Sequence, residues 1–253
     1  MIELSTEDGV TTVRLAHGPV NALDLDLVTG ISRTFAALDE DPATAAIVFT
    51  GTGKAFSAGV DLWRILDDGP EYVEAFLVAL GTAFETVFAV GKPVVAGLNG
   101  HAIAGGCIFA ACCDHRVMAD SHGRVGVPEQ LVGVPFPVAA LEPLRYTIGT
   151  QEQRRAVLFG GTYPPAEALA RGYVDELVAP DAVVDRATQV ARELATSVPP
   201  DTYRVSKRQL HAGATERIAR YRDVMHPEVL ALWLARSTDG WMRDYMNRVT
   251  QKR

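Results

Sequence analysis

Apolar and polar positions alternate over residues 2–15 around Glu7-Asp8-Gly9, and a period of two broken at an Asp-Gly step predicts a β-hairpin. The period then lengthens. Leu25, Val28, Ile31, Phe35 and Leu38 recur at helical spacing behind Asp24, a suitable N-cap, and Asp41-Pro42 ends the run. AAIVFT at 45–50 is a short β-branched stretch that stops at GTGKAFSAG, a strand followed by a glycine-rich loop; KPVVAGLNG at 92–100 repeats the plan. Between them Gly69-Pro70 opens a helix over about 70–90. AGGCIFAACCDHRVMAD runs from small residues suited to a buried helix into a strand at Arg116 to Met118. After Gly133 the pattern is mostly helical, with a late strand at YVDELV, 173–178. Pro199-Pro200 interrupts helix, so we divide the chain into a core over 1–199 and a helical section over 200–253. The fold class is α/β.

With 48% hydrophobic and 22% charged residues, the composition is that of a globular protein. The balance of 24 basic against 31 acidic residues, a net charge of −7, argues against a nucleic-acid or anionic-membrane surface. MIELSTEDGV lacks a basic start and an apolar segment, and no run of about 18 uncharged apolar residues occurs, so a cytoplasmic location is expected, with no membrane partner. Cys107, Cys112 and Cys113 crowd into one apolar stretch without a C-x-x-C pair, which predicts small buried hydrophobes and no metal site.

Two loops follow the two apolar strands: Phe56-Ser57-Ala58-Gly59-Val60-Asp61-Leu62, and the run from Asn99 through Gly105-Gly106-Cys107. Glycines there let backbone N–H groups approach a ligand closely, which suits an oxyanion, although each loop alone also reads as a tight turn. Neither matches a nucleotide phosphate cradle. Glu129, after Pro128, is a candidate acid or base, and equally an acidic residue in the first turn of a helix.

FSAGVDL, then KPVVAGLNGHAIAGGC, CDHRVMAD and VGVPEQLVGV, in this order and spacing, resemble the enoyl-CoA hydratase/isomerase (crotonase) family. The resemblance runs from NALDLDLV at 21–28 to YPPAEALARGYVDELV at 163–178. It implies a spiral of β-β-α units with a helical C-terminal section for trimerisation, and an acyl-CoA thioester as substrate. Coenzyme A is then part of the substrate, and no separate cofactor is called for. Carried over residue by residue, it places oxyanion donors on the N–H groups of Val60 and Gly105, a catalytic carboxylate on Glu129, and substrate contacts on Ala22, Ala58, Asp61, Leu62, Ile108 and Phe136. Asp61 also resembles a residue that holds the loop.

Family hydratases carry a second glutamate where this chain has Ile108, which cannot activate water. One carboxylate suffices to move a double bond, so the resemblance leans to the mitochondrial-type Δ3,Δ2-enoyl-CoA isomerases. A hydratase with another group in that role, or a silent acyl-CoA-binding protein, are the alternatives. Ile108 and Phe136 are expected to desolvate Glu129 and raise its pKa. Trp63, Ile65 and Leu66 are expected to line the acyl pocket. Glu71, Glu74 and Glu85 read as a solvated helix face and His101 as a loop histidine. Lys54, Arg64, Lys207, Arg208 and Lys252-Arg253 are candidates for the CoA phosphates. Trp233 and Trp241 suit an interface in a homotrimer or homohexamer.

Overall fold

The computed structural model describes residues 1–250. Strands β1 (Ile2–Glu7) and β2 (Val10–Leu15) pair antiparallel around Asp8 and Gly9, whose φ values of 49° and 77° are the left-handed pair a type I′ turn requires. Helix α1 (Leu25–Glu40) starts where the Asp24 carboxylate accepts from Leu27 N–H, and it buries Leu27, Val28, Ile31, Phe35 and Leu38. Then come β3 (Ala46–Gly51), β4 (Ala55–Ser57), α2 (Leu62–Asp67) and α3 (Pro70–Ala89). The next turn of the chain contains β5 (Val94–Leu98), β6 (His101–Ile103) and α4 (Gly105–Ala111). A third contains β7 (His115–Ala119), β8 (Val125–Gly126), α5 (Glu129–Val132) and α6 (Val138–Phe159). The chain ends with β9 (Thr162–Tyr163), α7 (Pro165–Ala170), β10 (Glu176–Val178), α8 (Val183–Ser197), α9 (Pro200–Thr238) and α10 (Trp241–Thr250).

Successive units supply one strand to each of two sheets. The larger has the order β1-β2-β3-β5-β7-β10 and the smaller β4-β6-β8-β9, so a strand pair and its helices advance together as a spiral. From β2 to β10 the larger sheet is parallel, and its central strands β3 and β5 are buried on both faces. One face packs Ala46, Val48, Val95 and Val117 against Ala187, Val190 and Ala191 of α8, and the other carries Ile47 and Phe49 into the main core. β10 is shorter than the expected strand, because Tyr173 N–H still bonds to Ala168 O at the end of α7.

The core is continuous with the C-terminal helices. Ala214, Ile218, Val229, Trp233 and Met242 belong to the same cluster as the spiral's phenylalanines. Helix α3 is long and apolar enough by composition to span a membrane, although Glu71, Glu74 and Glu85 leave it without an uncharged run of that length, and it buries Val73, Phe76, Leu77, Leu80, Phe84 and Val87 in this core. The double proline does mark a break, between α8 and α9.

Candidate active site

The site grows from the ends of β4, β6 and β8 in the smaller sheet. After β4, Leu23 N–H donates to Gly59 O at 2.8 Å and Asp61 N–H to Leu23 O at 2.9 Å, which holds Val60 between two fixed peptides. Gly59 has φ +86°, and a Cβ there would stand 2.7 Å from both Ala104 Cβ and Ile103 O. Only glycine lets the two loops close on each other. The Asp61 carboxylate then accepts from Trp63 N–H at 3.1 Å and Arg64 N–H at 3.3 Å, capping α2.

After β6 the chain turns at Ala104, whose φ of 53° and ψ of −124° cost a residue with a Cβ on the order of 1–3 kcal/mol. Ala104 N–H donates to Gly126 O at 2.8 Å, which holds the turn and starts α4 at Gly105. Neither Val60 N–H nor Gly105 N–H is spent on an acceptor among the described residues. Two free backbone donors thus end two adjoining loops.

After β8, Pro128 precedes the short helix α5, and Glu129 is its first residue. The Glu129 side chain is buried, and Oε2 has no hydrogen-bond partner among the described residues. Burial pushes its carboxyl from the ordinary 4.5 up to about 8, opposed only by a bond from its own backbone N–H. Behind it the buried Cys107 thiol is driven up by desolvation and by the negative charge of Glu129. A carboxyl held in this way is a stronger base toward carbon than a solvated one.

Glu129 opens onto a cavity of about 420 Å³. Ala22, Ala58, Val60, Asp61, Leu62, Trp63 and Ala104 line it, together with Val132, Val134, Trp233, Tyr245, Met246 and Val249. Seven of the residues assigned to the site from sequence, Ala22, Ala58, Val60, Asp61, Leu62, Trp63 and Glu129, therefore meet in one place. Gly105, Ile108 and Phe136 are not in its wall. Gly105 can offer only its backbone, and Ile108 and Phe136 are drawn into the main core, where apolar side chains lose more water than beside a carboxyl. Ile65 is in the core as well, while Leu66 packs on its edge.

Other expectations separate similarly. Lys207 is buried, with Nζ 2.7 Å from Asp114 Oδ2 and 3.1 Å from Lys92 O, so it is not free for a phosphate. Arg64 pairs with Asp68 and lies 4.9 Å from the Tyr72 ring centre, whereas Lys54 and Arg208 are exposed. Lys252-Arg253 lie outside the described residues. Glu71 and Glu74 are exposed, but Glu85 is half-buried and paired with Arg222, which corrects the reading of a solvated face at that position. His101 is half-buried on β6 and away from the cavity wall. The three cysteines are free and buried, and no cluster of His, Cys, Asp or Glu among the described residues is arranged to hold a metal. Trp233 is spent inside the chain, its Nε1–H donating to Pro135 O at 3.0 Å; Trp241 is 53% exposed. Missed altogether were Tyr245, Met246 and Val249. Trp241, Met242, Tyr245, Met246 and Val249 do form a helical apolar stripe, a signal that a face is buried but not against what.

The family profile described as enoyl-CoA hydratase/isomerase matches residues 5–228. The chain belongs to this family. As a crotonase-family enzyme it acts on acyl-CoA thioesters, with an enoyl-CoA isomerase or hydratase activity. It is 27% identical over 255 residues to the mitochondrial enoyl-CoA delta isomerase 1 of Rattus norvegicus, covering 100% of this chain and 88% of the relative. The crystal structure of human mitochondrial Δ3-Δ2-enoyl-CoA isomerase superposes with a TM-score of 0.92 at 25% identity, covering 100% of this crotonase and 99% of that chain. An enoyl-CoA hydratase/carnitine racemase from Magnetospirillum magneticum gives 0.77 at 29% identity, covering 83% and 80%.

Proposed function

We propose that this crotonase shifts the double bond of a 3-enoyl-CoA to the 2-position with Glu129 as its single base. The observation that carries the reading is the cavity's carboxylate inventory. Among the described residues its lining holds two carboxylates, and Asp61 is committed to capping α2, so of these Glu129 is the one available for chemistry. The isomerases among its relatives support the same reading.

In this mechanism the thioester oxygen sits between the N–H groups of Val60 and Gly105. Glu129 takes a proton from C2, and the electron pair of that C–H bond spreads into a dienolate whose charge the two donors hold. Such preorganised donors contribute several kcal/mol to a transition state in a dry site. Glu129 then returns the proton at C4, and no water is consumed. Hydration instead needs a group to hold and activate water as well as one to protonate C2, and the isoleucine at 108 supplies neither function.

Absorbance of the conjugated enoyl thioester tests the reading. With 3-enoyl-CoA the signal should rise far faster than it falls with 2-enoyl-CoA; efficient loss of the 2-enoyl signal would make the enzyme a hydratase. Assembly as a homotrimer or homohexamer through the 200–253 helices belongs to the same proposal. It is supported by apolar side chains left outside on α9, with Leu210 66% and Val224 72% exposed. Sedimentation should then give a multiple of three subunits, and a stable monomer at micromolar concentration would refute it.

A further inference from the structure

The last helix forms part of the wall of the cavity that holds Glu129. Tyr245 and Met246 of α10 share its wall with Glu129 and Val132 of α5 and with Leu62 and Trp63 of α2. Helix α10 is fastened to both of those neighbours. Trp241 Nε1–H donates to Leu131 O at 3.3 Å, Arg243 pairs with Asp67 at 3.2 Å and lies 6.0 Å from the Trp63 ring centre, and Met242 is fully buried. Tyr245 is therefore held on a fixed roof.

The polar groups around it are mostly spent. Asp61 caps α2, Thr250 Oγ1–H donates to Met246 O, and Trp233 bonds to Pro135 O. The Tyr245 hydroxyl and Glu129 Oε2 have no hydrogen-bond partner among the described residues, and they do not bond to each other. They are nevertheless close enough for the Glu129 charge, added to burial, to push the phenol up. The half-buried ring lies in the same wall and takes up room there that water would otherwise fill.

We propose that Tyr245 seals Glu129 from water, so that the proton taken from the substrate goes back to the substrate and not to solvent. The inference rests on the single-base reading. When C2 carries deuterium, the C–D bonding pair stays with the dienolate, the deuteron rides on a Glu129 oxygen, and a new C–D bond forms at C4. Exchange requires water to reach that carboxyl first and replace the deuteron with a proton, a leak that a closed, dry site prevents.

The other titratable groups around Glu129 do not provide the seal. Cys107 on α4 stays neutral because burial pushes its thiol up; Asp61 stands at the head of α2; Arg248 lies on α10 beyond Tyr245. On α6, Glu142 and Glu152 pair with Arg217 and Arg171, and on α9, Arg236 pairs with Asp239.

Two readouts test this on the full chain. Conversion of a C2-deuterated 3-enoyl-CoA in ordinary water reports the label retained in the product, and carbon NMR of glutamate-labelled protein, assigned with Glu129→Gln, reports the titration of Glu129. The wild type should retain most of the label. Tyr245→Ala should cut retention at least about twofold, and should bring the Glu129 titration down from about 8 toward the ordinary 4.5. Tyr245→Phe, which keeps the ring, should preserve both values. Tyr245→Leu, which fills most of the space, should lie between and serves if the alanine variant does not fold. Retention and titration unchanged in the alanine or leucine variant would overturn the proposal, as would a phenylalanine variant that behaves like alanine, or a wild type that loses all label. If the wild type moves no double bond, the single-base reading fails, while the NMR titration still judges the seal.

Discussion

Glu129→Gln should slow conversion of 3-enoyl-CoA at least about a thousandfold, because the amide fills nearly the same space but accepts no proton from carbon. Binding of a saturated acyl-CoA, measured by calorimetry, should change little. For the wild type, kcat/KM should rise with pH to a plateau with a midpoint near 8, since only the carboxylate form of Glu129 is a base and its carboxyl titrates there. Stability should run the other way. The folded chain keeps the Glu129 proton up to about 8 while the unfolded chain loses it near 4.5, so this stabilising contribution is full below 4.5 and is lost as pH rises through 8. The displacement is worth on the order of 5 kcal/mol. Glutamine does not titrate, so the variant should become more resistant to urea than the wild type at alkaline pH. A variant that isomerises at the wild-type rate would remove Glu129 from the mechanism.

Gly105→Pro should lower turnover by on the order of 100-fold, the effect of deleting one oxyanion donor. Gly105 is the first residue of α4, a position where proline's fixed φ is tolerated and where the missing N–H breaks no helical bond. Proline also restricts Ala104, whose φ is 53° and ψ −124°, so the loss is assigned to the donor only in a variant shown to be folded. Gly105→Ala separates the donor from simple crowding, because it keeps the N–H while placing a Cβ 2.6 Å from Leu23 Cδ1, the movable end of a side chain. The alanine variant should be impaired less than the proline variant in both kcat and thermal stability. Equal turnover by folded Gly105→Pro and wild type would show that the oxygen is held elsewhere.

Much of the local architecture is legible in the chain because its causes lie within a few residues. Asp8-Gly9 adopts the two positive φ values that turn the hairpin, Asp24 caps the helix it precedes, and Gly69-Pro70 opens α3. The order of FSAGVDL, AGGC and VPEQ likewise points to the family, and through it to Val60, Asp61 and Glu129, which do meet at one cavity. These motifs sit at strand ends, where the backbone alone delivers them to a common edge.

Side-chain surroundings are another matter, since they depend on segments far apart in the chain. Ile108 and Phe136 read as pocket walls but were drawn into the core. Lys207 reads as a free cation, yet Asp114, 93 positions away, claims it, and Glu85 reads as solvated until Arg222 arrives from α9. By itself the sequence determined the elements and their order, which follow from local periodicity, capping and turn geometry, and its motifs pointed to the loops and the carboxylate that meet at the cavity. Only the tertiary structure decided that α10 brings Tyr245 and Met246 over Glu129 and that the carboxyl titrates near 8, because desolvation is set by what packs around a group and not by its neighbours in the chain.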